Sequence, residues 1–356
     1  MPSFLRPVIL IAAVCLSISY MFLFSNIAEK PLLLPPHERR CAPLASVEEA
    51  SRPPRIAVAF FGLSRNLQLT LPLFEKYVFN VLDRHGIHHD VFWHGLTKSH
   101  MSNIHSRESN LKLNPDDVHL MNPCVFELEE EGPVKEAEFA AFSKSRIRDA
   151  RNETLRDYDP FHKFFRDNFE SLKNMLCAFY SQFRLQQMIT RHMKAQNVTY
   201  DAILLMRPDT GIVFRELDLP EHLPSIRGNG TRGVWTPDIM LMGGVNDRFA
   251  YGDVRSMLMY MQRGERYKQR GGKLTRGTGE IYLQKYLLKH GIPNHISKVR
   301  VIRIRADGMV AKKDCLNLNM HEELGKEFKS CVSWIPKKNG NDILDGVCRL
   351  KGKAHC

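Results

Sequence analysis

An arginine and an aspartate follow a strongly apolar segment in the middle of the chain. Residues 200–206 read Tyr-Asp-Ala-Ile-Leu-Leu-Met and predict a buried strand, and Arg207-Pro208-Asp209 comes directly after it. Ligands of open α/β sheets collect beyond the carboxyl ends of strands. A carboxylate there can bind Mn²⁺, Mg²⁺ or a ribose hydroxyl, and an arginine can neutralise phosphate. The alternative is that Asp209 only forms an Asx-turn at a strand end.

A second polar group follows a pair of glycines. The segment carries Gly243, Gly244, Asn246, Asp247 and Arg248, in that order. We interpret residues 238–242 as an apolar strand that breaks at the glycines, which allow close approach of the backbone to a ligand. Asp247 can then hold a hydroxyl group or act as a base. The alternative is that Asn246 and Asp247 cap a helix over residues 251–261.

A basic stretch and a glutamate come next. Residues 263–279 are rich in Arg, Lys and Gly and include Lys273 and Arg276. Such a loop can close over phosphates, although a solvated loop with no ligand explains the composition equally well. Glu280 begins a predicted helix over residues 280–291 and is a candidate general base. The alternative role of Glu280 is to complement the helix dipole in the first turn, behind Thr278.

The elements before these groups predict a parallel sheet. Residues 56–61 form an apolar run that predicts a buried strand, and a helix over 69–84 and a strand over 89–95 follow. This βαβ order favours a mostly parallel, Rossmann-like sheet with helices on its faces. The loop after the first strand contains Gly62, Ser64 and Arg65, which can approach a phosphate. It lacks the Gly-Lys-Ser/Thr ending of specific phosphate loops.

The middle of the chain divides into a polar part and a helical part. Residues 97–161 are polar and predict variable surface with little regular structure. The literal Asp-x-Asp of residues 157–159 follows no apolar strand and precedes Pro160, and we interpret it as a solvated turn. Apolar residues at steps of three and four then predict a long amphipathic helix over 169–194, whose stripe is core.

The N-terminal part predicts a membrane anchor. Residues 7–28 carry no charged side chain and are long enough to cross a bilayer as a helix. The bulky residues 20–24 argue against a cleaved signal peptide. We therefore expect a tail over 1–6, an anchor over 7–28, a proline-rich stem over 29–54, a domain over 55–307 and a cysteine-containing extension over 308–356. The basic residues that follow the anchor oppose a lumenal domain.

Sequons and cysteines favour the secretory pathway. Asn152, Asn197 and Asn229 each begin an Asn-x-Thr sequon, and four cysteines lie in the last 42 residues. Cys41, Cys124 and Cys177 complete an odd set of seven after the anchor, so at least one thiol stays outside an intramolecular pair. The net charge of +12 suits anionic partners such as nucleotides or lipid headgroups. No zinc-finger or RNA-binding signature favours nucleic acid.

Four segments together resemble a known family. In chain order they are FFGLSRN, LLMRPDTGI, MLMGGVNDRFAYGD and TGEIYLQKYLLKHGI. They resemble uncharacterised type II membrane proteins of plants and algae that are related to glycosyltransferases with the GT-A fold. The resemblance spans about residues 55–307 and implies a single-pass Golgi enzyme that moves a sugar from a nucleotide-sugar donor to a glycan or glycoprotein acceptor.

The resemblance also suggests roles for the residues. Arg207-Pro208-Asp209 stands where such enzymes carry Asp-x-Asp, so Asp209 is the expected Mn²⁺ or Mg²⁺ ligand. Arg207 replaces the first carboxylate, and a metal-independent site is therefore an alternative. The residue patterns described above, and not the resemblance, make Glu280 and Asp247 the expected catalytic residues and supply the donor-binding set. The expected donor-binding residues are Gly62, Ser64, Arg65, Arg207, Asp209, Gly243, Gly244, Asn246, Arg248, Lys273 and Arg276. A sulfotransferase and a non-catalytic binding protein with the same fold remain alternatives.

Overall fold

A seven-stranded mixed sheet forms the centre of the domain. The computed structural model describes residues 41, 52–65, 67–103, 108–149, 169–213, 215–228, 230–239, 241–269, 278–306, 308 and 314, without the side chains of 103 and 145–149. The strands are β1 (Arg55–Leu63), β2 (His88–Thr97), β3 (His100–Asn103), β4 (Glu108–Lys112), β5 (Val125–Glu130), β6 (Ala202–Met206), β7 (Thr210–Val213), β8 (Val234–Pro237), β9 (Phe249–Asp253), β10 (Asn294–Ser297) and β11 (Arg300–Arg303).

Helices connect most of these strands. They are α1 (Leu67–Phe74), α2 (Asn80–Arg84), α3 (Val118–Met121), α4 (Glu131–Asp149), α5 (Glu170–Gln196), α6 (Leu219–Arg227), α7 (Val254–Met261), α8 (Arg263–Gln269) and α9 (Gly279–Lys289). A π-helical segment, Glu75–Phe79, joins α1 to α2, and a 3₁₀ turn, Pro115–Asp117, precedes α3. The long helix predicted over residues 169–194 is α5, and the prediction is confirmed.

The strand order of the large sheet is β10-β8-β9-β6-β1-β2-β5. Four of its six neighbouring pairs are parallel, and β9 is antiparallel to both β6 and β8. The predicted α/β class with a mostly parallel, helix-flanked sheet is therefore confirmed. Two small antiparallel pairs, β7 with β11 and β3 with β4, lie outside this sheet.

The central strand β1 separates two hydrophobic cores. Ile56, Val58 and Phe60 face the core that α1 and α2 cover. Ala57, Ala59 and Phe61 alternate with them and face the core that α5 covers. Burial on both faces explains why this strand has an uninterrupted apolar sequence.

The prediction of little regular structure over residues 97–161 is wrong for the part that the structure describes. Residues 97–149 contain β3, β4, α3, β5 and α4. The error has a physical cause, because β5 is an edge strand with only partial burial, so it lacks an apolar run. Glu127 and Glu129 of β5 form ion pairs with Arg184 of α5. The acidic run is therefore part of strand β5, and its ion pairs attach this strand to helix α5.

A disulfide ties the start of the described chain to the sheet. Cys41, in the predicted stem, is bonded to Cys124 just before β5, with a Cα–Cα distance of 4.9 Å. Cys177 is buried in α5 and unpaired, and burial raises the pKa of its thiol to about 12. The described residues all belong to one compact unit.

Among the described residues, no helix is both long and apolar enough to cross a bilayer. The predicted tail over 1–6 and anchor over 7–28 lie outside the described residues. Most of the predicted stem and nearly all of the extension after residue 307 lie outside them as well. The membrane topology therefore stays a prediction.

Candidate functional site

The candidate site lies where the chain changes direction across the sheet. From β1 the chain proceeds to β2 on one side, and β6 later pairs with β1 on the other side, parallel to it. In open α/β sheets such a switch point leaves a crevice outside the carboxyl ends of the two strands. Residues 64 and 65 follow β1 at this edge and residues 207–209 follow β6, with Arg65 3.4 Å from Asp209.

Arg207 and Asp209 form a tight ion pair in this crevice. Nε and Nη2 of Arg207 donate to the two carboxylate oxygens of Asp209 at 2.8 and 2.7 Å. Nε of Arg65 lies 3.4 Å from the same carboxylate, whose side chain has no exposed surface. Burial alone would raise the pKa of Asp209, but Arg207 and Arg65 outweigh it and hold the pKa at about 2. Asp209 is therefore ionised at neutral pH.

The surroundings of Asp209 do not fit a divalent cation. Both of its oxygens already accept hydrogen bonds from Arg207, and a metal would place more positive charge beside two guanidinium groups. The Asx-turn alternative also differs from the observed geometry, since the carboxylate bonds to a side chain. The role predicted for Asp209 as a metal ligand stays untested, and its electrostatic neighbours argue against it.

Two further arginines reach the site from β11 and the residues after it. Arg303 binds the carboxylate of Asp314 through Nη2 at 2.6 Å and Nε at 2.9 Å. Arg305 lies 4.0 Å from Glu108 of β4, which also pairs with Arg65 at 3.2 Å. Burial, then the like charges of Arg303 and Arg65, lower the pKa of Arg305 to about 10. The cationic form of Arg305 is therefore destabilised by its surroundings.

Sequence reasoning missed these two arginines. The signal was present, because Arg303 and Arg305 are two residues apart in an alternating apolar and basic segment. Such residues share one face of a strand. Only the pairing of β11 with β7, which follows Asp209 directly, brings that face to the crevice.

Several buried polar atoms at this edge have no hydrogen-bond partner among the described residues. They are Oγ of Ser64, Oγ1 of Thr210 and Nε of Arg65, the last of which still lies 3.4 Å from the Asp209 carboxylate as an ion pair. Buried polar atoms in native proteins are nearly always bonded to protein, water or a ligand. Their concentration around Asp209 is consistent with a site that binds a polar ligand.

A pocket adjoins the crevice beyond the carboxyl ends of β1 and β2. Nε1 of Trp93, which is fully buried, has no hydrogen-bond partner in the described part of the chain. The pocket is lined by Leu63, Ser64, Trp93, Gly95, Leu96, Thr97, Lys98, Leu113, Asn114, Pro115, Val118 and Leu128. It includes the predicted site residue Ser64, but neither Asp209 nor Arg248.

The backbone of Gly62 serves the fold. Its N–H donates to Oγ of Ser181 in α5 at 2.9 Å, and that hydroxyl donates to the carbonyl of His94 in β2 at 2.9 Å. Gly62 has a φ of +94°, a conformation that favours glycine. Its N–H is thus not free for a phosphate, which removes the main support for a sulfotransferase loop.

A second group of charged side chains, around Arg248, lies beside the pair of Arg207 and Asp209. Nη2 of Arg248 is 2.9 Å from Oε1 of Glu280, and its Nη1 is 3.8 Å from Oδ1 of Asp247. The backbone N–H of Arg207 donates to the carbonyl of Arg248 at 3.2 Å. Burial, and then the nearby charge of Asp247, raise the pKa of Glu280. The structure therefore brings both predicted catalytic carboxylates to the edge that holds Asp209.

The two predicted glycines have a different role from the one expected. A Cβ atom on Gly244 would lie 2.1 Å from the carbonyl oxygen of Glu280, so the close approach is to α9 and not to a ligand. Residues 238, 239, 241 and 242 belong to no strand, so the predicted strand is wrong for these described positions; β8 ends at Pro237 and β9 begins at Phe249. Gly243 has a φ of +84° in the loop that results.

Asn246 and Asp247 do not cap the following helix, so that alternative is wrong. The cap of α7 is Asp253, whose side chain accepts from the N–H of Ser256. Asn246 instead holds its own loop, because its amide donates to the carbonyl of Ile239 at 2.8 Å and accepts from the N–H of Arg248 at 2.9 Å. Asp247 stays 24% exposed at the mouth of the site.

Thr278 caps α9, accepting from the N–H of Ile281, and Glu280 lies in the first turn of this helix, as the dipole interpretation expected. The dipole role and the pairing with Arg248 thus coexist. Lys273, Arg276 and the sequon residues Asn152 and Asn229 lie outside the described residues. The remaining sequon residue, Asn197, is exposed at the end of α5.

A separate set of potential metal ligands lies between β2, β5 and α5. The ligand atoms of His94, Glu127 and Glu129 lie within 4.8 Å of one another, a set compatible with a divalent metal. Burial lowers the pKa of His94, whose Nε2 is 3.0 Å from Glu129. Arg184 and Arg191 already neutralise the glutamates. Sequence reasoning missed this set because its members come from two strands.

Comparison of the chain with protein-family models finds no match, and comparison with curated protein sequences finds none at the significance required.

Proposed function

We propose that the domain is a glycosyltransferase that binds a nucleotide-sugar donor in the crevice between β1 and β6. The observation that carries this proposal is the convergence of Arg65, Arg207, Arg303 and Arg305 on that crevice. They pair with the carboxylates of Asp209, Glu108 and Asp314, and the charge of Asp247 also acts on Arg207 and Arg303. The GT-A-like fold and the sugar chemistry rest on the sequence resemblance.

The electrostatics of the site favour a diphosphate leaving group. Arg305 has a lowered pKa because it is buried among like charges, and an anion beside it would relieve that repulsion. Guanidinium groups fixed in advance stabilise charge that develops on a departing phosphate without reorganising water. Arg207 keeps 28% of its side chain exposed and Arg303 keeps 20%, so both can reach a ligand at the surface of the crevice.

We assign the base and ribose to the neighbouring pocket, whose cavity of about 10 Å³ holds one water molecule, so its walls have to move apart to admit a nucleoside. Its apolar side chains suit a base, and the unpartnered groups of Ser64 and Trp93 provide hydrogen-bond donors for a base or ribose. Ligand pockets typically combine an apolar lining with a few such polar groups. Arg65 follows Ser64 directly, so one short loop would contact both the nucleoside and the diphosphate.

The carboxylates beside Arg248 complete the proposed mechanism. Glu280, with its raised pKa, accepts the proton of the acceptor hydroxyl. The acceptor oxygen bonds to the anomeric carbon of the sugar as the bond to the diphosphate oxygen breaks, and the arginines take up the charge that leaves. Asp247, partly exposed at the mouth, holds a sugar hydroxyl. Arg248 fixes the position of Glu280.

We further propose that the arginines replace the Mn²⁺ or Mg²⁺ that a carboxylate pair would hold. Arg207 stands where the related enzymes carry the first carboxylate, and it occupies both oxygens of Asp209. The proposed setting remains a single-pass type II Golgi membrane protein with its domain in the lumen and a glycan or glycoprotein acceptor.

Thermal unfolding of the full chain with a panel of nucleoside diphosphates tests the proposal. A ligand at 100 times its Kd stabilises a fold by about 2.7 kcal/mol, which raises the melting temperature by a few degrees. We expect at least one nucleotide to do so equally in manganese and in EDTA.

Two variants serve as controls for this measurement. Arg303→Gln should lose the nucleotide-dependent shift, whereas Arg84→Gln, at an exposed pair with Glu216, should keep it. Absence of a shift with every nucleotide would refute the proposed donor, and a shift that depends on manganese would refute the metal-independent site.

A further inference from the structure

A fully buried arginine lies next to the proposed catalytic carboxylates. Arg263, the first residue of α8, has no exposed surface. Its Cζ is 4.1 Å from the ring centroid of Tyr260 and 4.9 Å from that of Phe179, so two aromatic rings hold the guanidinium. Its Nη1 donates to the carbonyl of Tyr260 at 3.0 Å. The orientation of this cation is therefore fixed.

The other edge of this guanidinium has no protein partner in the described part of the chain. Nε and Nη2 of Arg263 and the hydroxyl of Tyr260 are buried without a hydrogen bond there, and no described carboxylate forms an ion pair with Arg263. A buried charge without a counter-charge destabilises the fold. A water molecule could satisfy the hydrogen bonds but not the charge.

The same edge of an arginine holds a carboxylate elsewhere in this protein. Nε and Nη2 of Arg207 bind both oxygens of Asp209. This two-point geometry matches a carboxylate better than it matches a hydroxyl group. The unpartnered edge of Arg263 therefore has the shape and charge that recognise a planar anion.

Arg263 also lies near the residues that we propose bind the sugar and the acceptor. The hydroxyl of Tyr282 donates to the carbonyl of Arg263 at 2.9 Å, so Arg263 contacts α9, the helix that also carries Glu280. The charges of Asp247, Arg248 and Glu280 also act on Tyr260. Burial raises the pKa of Tyr260 to about 12, and its hydroxyl therefore stays protonated and able to donate.

We propose that Arg263 and Tyr260 form a subsite for the carboxylate group of an acidic sugar, a hexuronic acid carried by the donor or present in the acceptor. This inference rests on the proposed function, since it names the class of sugar that the same site selects. Arg263 binds the two carboxylate oxygens, and the Tyr260 hydroxyl donates to one of them. Because Arg263 is fully covered, neighbouring side chains have to rearrange for the carboxylate to reach it.

Binding measurements on the full chain test this subsite. Titration calorimetry compares glucuronic acid with glucose, and the nucleotide-linked hexuronic acid with the nucleotide-linked hexose of the same nucleotide. We expect the acidic ligand of each pair to bind at least tenfold more tightly. A preference only for free or acceptor-linked hexuronic acid assigns the carboxylate to the acceptor, and a preference for the acidic donor assigns it to the donor.

Two variants separate binding from folding. Tyr260→Phe removes only a buried hydroxyl without a partner, so we expect an unchanged or higher melting temperature together with a loss of most of the preference. Arg263→Lys keeps the charge but loses the two-point edge, and it should abolish the preference while affinity for the nucleoside diphosphate stays the same.

The outcomes for the two proposals differ. Equal affinity for acidic and neutral ligands in the wild-type protein would overturn the subsite, even if nucleotides bind. A preference that Tyr260→Phe leaves intact would also overturn it. Failure of every nucleoside diphosphate to bind would refute the proposed donor, whereas the free sugars would still test the subsite.

Discussion

Replacing Asp209 by asparagine tests the electrostatics of the candidate site directly. Arg207 donates two hydrogen bonds to the carboxylate, and Arg65 lies 3.4 Å away. Asparagine keeps the shape of the side chain but removes the charge, and it turns an amide N–H₂ group toward a guanidinium that can only donate. The arginines then stay side by side without their anion, and the fold loses stability.

The expected loss follows from the pKa of Asp209, which is lowered from 3.8 to about 2. A difference of that size between the unfolded and folded states corresponds to roughly 2 kcal/mol of folding stability at neutral pH. Because the folded-state pKa is the lower one, this stability is fully present above about pH 5 and is lost as the pH falls toward 2. About half of it should remain at pH 3.

Urea denaturation at pH 7 and pH 3 measures the effect. We expect Asp209→Asn to lower the free energy of unfolding by about 2 kcal/mol at pH 7, and by about half as much at pH 3. Glu216→Gln, which removes an exposed pair with Arg84, should change stability by less than about 0.5 kcal/mol at either pH. An equal loss for Asp209→Asn at both pH values would refute the reasoning, and so would a loss no larger than that of the control.

Three further changes test the framework of the site. Gly244→Ala places a methyl group 2.1 Å from the carbonyl of Glu280, and urea denaturation should show a loss of about 1–3 kcal/mol. Thr278→Ala removes the cap of the same helix and should cost about 1 kcal/mol in that assay, so a larger loss than for Gly244→Ala would contradict the packing described. Cys124→Ser opens the bond to Cys41 across 83 positions and should cost roughly 4 kcal/mol. Dithiothreitol should lower the wild-type melting temperature by at least as much as this substitution does.

Local patterns in the sequence identified the elements that are buried or end at the site. The strand β6 and the helix α5 were predictable because apolar residues recur at the period of each structure. The placement of Arg207 and Asp209 followed from the rule that ligands collect at strand ends. Both predictions needed only neighbouring residues, and they are the part of the site that sequence reasoning placed well.

The remaining features depend on contacts between distant segments. Glu108 and Arg305 are nearly 200 positions apart, and only the tertiary fold brings them together. A glycine in the sequence indicates that something approaches the backbone closely, but it does not show what. At Gly244 we expected a ligand, and the structure has the backbone of Glu280 there. The sequence did not predict β5, because an edge strand that contacts its neighbours partly through charged side chains has no continuous apolar segment.

The antiparallel direction of β9 determines which segment of this domain can vary in length and sequence. β8 and β9 are neighbours that run in opposite directions, so residues 238–248 join them as one long hairpin connection at the edge that carries the candidate site. The free energy of closing such a connection rises only slowly with its length. Related domains can therefore exchange or lengthen this segment, and with it Asp247, while the order of the strands stays the same. Directed evolution of ligand choice should begin with randomised libraries of this hairpin.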